Sequence, residues 1–404
     1  MLYMLITFPK FGTYGTPGKI RGFVIMKLKN SLILNPDGRF LRGELNTDGE
    51  LIGEQSGDEE VLDTGGLILT PGLVDLHLHG ADGVDFMDGS LRSLRKLLAF
   101  EARNGSTTVC PATMTMAKND IFRALSCAAD YLDHEEPQEA RLGGIYLEGP
   151  FISPLKCGAQ DKSYVRSPSL DFLNAAQQAA SGLIRLLALA PELPGSSDFI
   201  VGALKLYPAL KICLGHSNCS YEEARQALML GVGQVTHLFN ALPPLLQRDP
   251  GPLAAIFEHP SCSAELICDG FHLHDAVIRL AFKVLGDNRI ILISDSMMAT
   301  GLDDGTYCLG GQEVHVKERR ALLGDGTLAG SASTLWECVR HCVLSAGIPL
   351  ESALKAACVN PAAAVGLTRC GSLKPGSYAD VIGFDEHLEL KLVLLRGEVI
   401  LDRR

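Results

Sequence analysis

The chain has 404 residues, enough for one large domain with a smaller one beside it or for two to three of average size. A formal net charge of -11 without a long Lys/Arg block excludes a general nucleic-acid or anionic-membrane binder, so an anionic substrate would depend on a few local cations. Twelve cysteines without a C-x-x-C pair read as free thiols of a reducing compartment, the cytoplasm, rather than as a disulfide frame or a structural zinc knot.

The opening "MLYMLITF" is too short for a membrane span and lacks the basic lead-in of a signal peptide. Residues 1–25 show no clear period and read as a loose extension, with Met26 an alternative start. From Met26, "MKLKNSLILNPDGRFLRGELNTDGELIG" shows short alternating runs punctuated by Pro-Asp-Gly and Thr-Asp-Gly turns, and "GSLKPGSYADVIGFDEHLELKLVLLRGEVILD" repeats the style from residue 371. Neither end is large enough to build a core alone. The expectation is one small β-sandwich domain made by both chain ends, 26–70 with 371–404, beside a larger unit spanning 71–370.

Within that unit, short apolar runs recur at 73–79, 107–113, 143–148, 184–190, 211–216, 233–237, 264–269 and 290–295. Helix-like segments separate most of them. The clearest is "SYEEARQALMLG", with Ser220 as N-cap, Glu223 completing a capping box and Gly231 as the stop. Strand and helix alternating eight times predict an α/β fold, the (β/α)8 TIM barrel.

In such a barrel the C-terminal strand ends converge on the mouth. His77 and His79 lie at the end of the first run, where side chains two apart share a face. Glu148, His216, His237 and Asp295 end four others. Taken singly, each is an ordinary polar strand end. Six ionisable groups at the same end of successive strands need another reason, because burying them unpaired is costly. A carboxylate with neutral imidazoles and an open position suits Zn²⁺ or Fe²⁺. The absence of cysteine from the set argues against a closed structural site. An ion so held acidifies water and polarises a carbonyl. Asp295 is placed to accept the proton and return it to a leaving amine, and it doubles as an N-cap for "SMMATG".

Three loops read as substrate contacts. "HLFNALPPLLQRDPG" carries Asn240, Ala241 and Arg248, the arginine suited to clamping phosphate. "CDGFHLH" places His272 after the seventh strand, and "LAGSAS" (328–333) is a small-residue turn with Leu328, Ala329 and Gly330, where backbone N–H groups can approach a ligand.

"PGLVDLHLHG", "GIYLEGPFISPLKCGAQ", "LGHSNCSYEEA", "THLFNALPPLLQRDPG", "CDGFHLH", "ISDSMMATG" and "LAGSAS" resemble, in order and spacing, the N-acetylglucosamine-6-phosphate deacetylases of the amidohydrolase superfamily. The likeness runs from about Met26 to the end; "YLEGPF" with "THLFNA" is specific to the family, whereas His-x-His is shared across the superfamily. It implies hydrolysis of N-acetylglucosamine 6-phosphate to glucosamine 6-phosphate and acetate. It gives Glu148, His216 and His237 as the principal metal ligands and Asp295 as the acid/base; the His77 and His79 pair, which some members have and others replace, leaves one or two ions per chain open. Asn240, Ala241, Arg248 and His272 become sugar-phosphate contacts, with Arg248 reaching the neighbouring subunit of a homodimer. Where the family's segment usually ends in "KGAH", this chain has Cys157, Gly158, Ala159 and Gln160. The histidine there is thought to polarise the substrate carbonyl; Gln160 can donate a neutral hydrogen bond in its place but cannot be cationic. The alternatives are the galactosamine-configured substrate, another acylated amino-sugar phosphate, or a non-catalytic sugar-phosphate-binding paralogue.

Overall fold

The structure, a computed structural model, describes residues 25–35, 38–54 and 60–404. Of the expected extension, only Ile25 falls among them, opening a strand; residues 1–24 lie outside the described residues.

Eight parallel strands form a ring: β1 (Leu73–Leu78), β2 (Ser106–Pro111), β3 (Ile145–Leu147), β4 (Ile184–Leu189), β5 (Lys211–Leu214), β6 (Gln234–Val235), β7 (Ser263–Ile267) and β8 (Ile290–Ile293). β1 pairs with β2, and β3 to β8 pair in chain order. Between β2 and β3 the ring continues through Arg141–Leu142, which pairs with β2, and a parallel bridge from Ala112 to Tyr146. Between β8 and β1 it closes where the Asp295 N–H donates to the His77 carbonyl at 2.9 Å and the His79 N–H to the Ser296 carbonyl at 2.8 Å. All eight expected runs are strands of this barrel.

Helices cover the outside: α1 (Leu91–Arg103), α2 (Lys118–Tyr131), α3 (Leu170–Ala179), α4 (Ser196–Leu206), α5 (Tyr221–Met229), α6 (Gly251–Glu258), α7 (Asp275–Leu285) and α8 (Leu335–Leu344). The strands are apolar on both faces because both are covered. Val74, Leu76, Cys110, Tyr146, Leu186 and Ile291 belong to the cluster that fills the ring, while Leu73, Leu147, Leu187 and Ile212 meet the helices. Each such buried side chain contributes roughly 1.5–3 kcal/mol. Ala362 and Val365 join the inner cluster, and the Val365 carbonyl accepts from Arg185 near the start of β4, so the end opposite the strand C-termini is plugged. The α5 cap forms as its sequence requires: Ser220 Oγ accepts from the Glu223 N–H at 3.3 Å, Glu223 Oε2 from the Ser220 N–H at 2.8 Å, and Gly231 has φ 114°.

The two chain ends share one eight-stranded sheet. Ile68–Pro71 pairs in parallel with Ile25–Leu34 and antiparallel with Val381–Phe384, which continues to Leu390–Leu395 and Glu398–Asp402. On the other side Phe40–Asp48 and Leu51–Gly53 follow, and Leu51 bridges back to Tyr378. The sheet therefore wraps around its own core of Leu28, Leu45, Ile52, Leu69, Val381, Leu392 and Leu394, drawn from both ends. Gly72 links this sheet to β1. A Cβ there would stand 2.0 Å from Thr107 Oγ1, so only glycine lets β1 and β2 approach.

Between β8 and α8 lies a three-stranded antiparallel insert, Gly305–Leu309, Gln312–Lys317 and Arg320–Leu322, for which no expectation was formed from sequence. Its signal was present: Gly310 and Gly311, with φ 57° and 83°, form the two-residue loop that a primed hairpin turn demands.

Candidate metal centre and active site

The barrel delivers six ionisable side chains to one end. In β1 the register shifts between Asp75 and Leu78, where Asp75 Oδ1 accepts the His77 N–H at 3.2 Å and the Ser294 N–H at 3.3 Å; this ties the first strand to the end of β8. Glu148 directly follows β3. His216, His237 and Asp295 each sit two residues beyond β5, β6 and β8, with φ of 45°, 25° and 49°. Left-handed backbone at a non-glycine residue costs on the order of 1–3 kcal/mol and persists where the surroundings impose it, as at functional sites.

Glu148 is the hub. Its Oε1 lies 3.3 Å from His77 Nε2, 3.0 Å from His216 Nε2 and 3.3 Å from His237 Nε2; its Oε2 lies 3.3 Å from His79 Nε2. Asp295 Oδ1 is 3.3 Å from His79 Nε2 and 3.6 Å from His77 Nε2. His216 and His237 face each other at 3.0 Å between Nε2 atoms. Two sets result, His77/His79/Glu148 and Glu148/His216/His237, and within each the ligand atoms lie within 4.8 Å of one another.

Three of the four rings are held from behind; the buried Nδ1 of His237 has no hydrogen-bond partner among the described residues. His79 Nδ1 faces the Ala112 carbonyl at 3.3 Å and His216 Nδ1 the Lys156 carbonyl at 2.9 Å; in the neutral form a proton held there would leave Nε2 with a lone pair for a metal ion. His77 Nδ1 lies 3.0 Å from Glu265 Oε2, and its buried Nε2 has no hydrogen-bond partner. Glu265 also accepts from Gln234 Nε2 at 2.7 Å and from the His237 N–H at 3.2 Å. Sequence reasoning missed Glu265; its signal was a glutamate inside the apolar run "AELICD", a place a carboxylate occupies only with partners.

Converging imidazole lone pairs around one carboxylate fit a divalent cation of borderline softness. The electrostatics agree. Burial alone would raise the Glu148 and Asp295 carboxyl groups, but the histidines against them reverse that and hold both below the ordinary carboxylate range. His79 answers in kind: burial would lower it, yet hydrogen bonding to Asp295 and Glu148 and the charges of both carry it to about 9. This cluster attracts positive charge strongly, and a metal ion competes with protons for the same lone pairs.

Above the cluster lies a cavity of about 270 Å³, lined by His79, Glu148, His216, His237 and Asp295 on its floor. Of the expected substrate contacts, Ala159, Gln160, Asn240, Ala241, His272, Leu328 and Gly330 line it. Ala329 does not: it is fully buried and its N–H donates to the Ala321 carbonyl of the insert. Arg248 stands exposed on the mouth loop and does not line this chain's cavity, whose lining among the described residues holds neither lysine nor arginine. His272 is the cationic candidate there; burial would lower it, but Asp269, at 2.8 Å from Nδ1, raises it. Gln160 is 5% exposed: its Oε1 accepts the Thr115 N–H at 2.5 Å and its Nε2 donates to Glu148 Oε2 at 2.7 Å. Met114 and, from the insert, Leu309 complete an apolar wall that sequence reasoning did not find.

Residues 68–400 match the amidohydrolase family. The chain is 32% identical over 385 residues to the N-acetylglucosamine-6-phosphate deacetylase of Lysinibacillus sphaericus, covering 93% of this chain and 98% of that protein. It is 36% identical over 335 residues to that of Bacillus subtilis, with 82% and 84% covered. Among solved structures, a mutant of the Mycobacterium smegmatis N-acetyl-D-glucosamine-6-phosphate deacetylase in complex with N-acetyl-D-glucosamine-6-phosphate superposes with a TM-score of 0.87 at 31% identity, covering 94% of this chain and all of that one. Fold, strand-end cluster and sequence thus agree that this chain belongs to the amidohydrolase family, in its N-acetylglucosamine-6-phosphate deacetylase branch.

Proposed function

We propose that the chain hydrolyses N-acetyl-D-glucosamine 6-phosphate to D-glucosamine 6-phosphate and acetate in amino-sugar catabolism, as a cytoplasmic enzyme. The observation that carries this reading is Glu148 shared between two histidine sets on the floor of a cavity that also holds Asp295 and His272. A divalent ion held there, Zn²⁺ in this reading, acidifies water toward a pKa of ~7 and polarises an acyl carbonyl. Asp295 takes the proton of the attacking water as its oxygen bonds to the acyl carbon, then returns it to the sugar nitrogen as the C–N bond breaks. His272, Asn240 and the backbone around Ala241 and Gly330 hold the sugar phosphate. The test is acetate release by the metal-loaded protein, expected to stop on chelation, to resume with Zn²⁺, and to exceed that from the galactosamine epimer. A metal-loaded protein that releases no acetate would overturn the reading.

Two ions per chain are expected, one in each set, because each set brings two imidazoles of its own to Glu148. His77→Ala should reduce the metal content, measured by elemental analysis, from close to two ions per chain to about one. A parent holding one ion, unchanged by the substitution, would leave His77 a supporting role.

Among the described residues the cavity lining holds no lysine or arginine for the phosphate, and Arg248 is exposed at the mouth. We infer that Arg248 reaches the phosphate in the neighbouring subunit of a homodimer. Arg248→Ala is expected to raise KM for the phosphorylated sugar about tenfold to a hundredfold, since a charged hydrogen bond contributes roughly 1.5–3 kcal/mol. Unphosphorylated N-acetylglucosamine, assayed in parallel, should be little affected.

A further inference from the structure

We propose that Gln160 is a positioning residue that fixes the orientation of Glu148, rather than a donor to the substrate's acyl oxygen. Its amide can be read in one way only. The Thr115 backbone N–H can only donate, so the atom facing it is Oε1, and Nε2 is the atom that faces Glu148 Oε2 at 2.7 Å.

Glu148 needs such a contact. The terminal torsion of a glutamate is broad, so its oxygens are not assigned by covalent geometry. Four imidazole Nε2 atoms surround it, and those of His77, His79 and His216 have their Nδ1 against Glu265, the Ala112 carbonyl and the Lys156 carbonyl. In the neutral form that ligates a metal, these Nε2 atoms offer lone pairs and no proton. Gln160 then supplies the N–H that draws Oε2 to one side, leaving Oε1 toward His216 and His237.

The same loop does this twice. The turn from Ser153 to Gln160 is closed by Lys156 N–H to the Ser153 carbonyl at 3.1 Å and by Gln160 N–H to the Cys157 carbonyl at 2.9 Å. Lys156 presents its carbonyl to His216 Nδ1, and Gln160 presents its amide to Glu148. Gln312, from the insert, donates to the Ala159 carbonyl and holds the loop from the far side. One segment thereby sets the direction of two ligands.

The inference rests on Glu148 being a metal ligand. The experiment compares Zn²⁺-loaded parent with Gln160→Met, which keeps the length of the side chain and removes its donor. Each is equilibrated against graded chelator and retained Zn²⁺ is measured. Gln160→Met is expected to release metal at about tenfold to a hundredfold lower chelator strength, the loss typical of removing a partner behind a ligand. At saturating Zn²⁺, kcat should return to within a few fold of the parent. Metal retention equal to the parent's, whether or not kcat falls, would overturn the inference while leaving the site reading intact; a parent that retains no Zn²⁺ would overturn both. Should Gln160→Met fail to fold, Gln160→Asn, which keeps the amide but shortens its reach, is expected to lose metal in the same direction.

Discussion

Asp295→Asn is expected to leave fold and metal content close to the parent's while kcat falls by ~10²–10⁴-fold, the usual consequence of losing a positioned general base. The amide has the carboxylate's shape, so the backbone bond from Asp295 N–H to the His77 carbonyl, which closes the barrel, is untouched. What is lost is proton affinity. Asp295 sits 3.3 Å from His79 and is held ionised by the imidazoles around it, so in the parent it is ready to accept a proton. Steady-state kinetics with metal analysis on the same preparation checks both halves. Turnover near the parent's with a full site would remove Asp295 from the mechanism.

Glu148→Ala should be more severe, because it removes the one carboxylate common to both histidine sets. The remaining Nε2 atoms would keep only Asp295, which faces His77 and His79 and not the His216 and His237 pair, to balance an incoming cation. Metal content is expected to fall close to zero, and activity by on the order of 10³-fold or more, since without the ion the pKa of water rises from ~7 far above the neutral range. Elemental analysis after dialysis reads the first effect and acetate release the second. Retention of two ions by this variant would contradict the shared-ligand geometry, and so would activity restored by excess Zn²⁺.

The barrel was legible because its strands are short, apolar and bounded by turns, and five of the eight runs carry their chemistry at the end. The histidines, Glu148 and Asp295 could therefore be picked out without knowing what they touch. Other features leave no such trace. Left-handed backbone at His216, His237 and Asp295 is dictated by the surroundings and not by those residue types. Glu265 lies inside a strand rather than at its end, so reading strand termini passes over it. The fate of Gln160 depended on Thr115, whose backbone N–H no pattern of side chains announces. Ala329 and Gly330 are neighbours in a turn, and which one borders the cavity is settled by the Ala329 bond to the insert.

The sheet built from both chain ends also governs the order in which the molecule can be completed during synthesis. Ile68–Pro71 leads through Gly72 into the first barrel strand, yet its antiparallel partner, Val381–Phe384, leaves the ribosome only after all eight barrel strands. Until then Leu28 and Leu69 lack the Val381, Leu392 and Leu394 side that completes their core, and one edge of Ile68–Pro71 stays open to other chains. Pairing over so long a separation is slow to find, because loop closure precedes any gain in contacts. A nascent chain halted before Val381 therefore carries the strands of a barrel but an unfinished anchor for the first of them, marked by exposed apolar surface and an open strand edge.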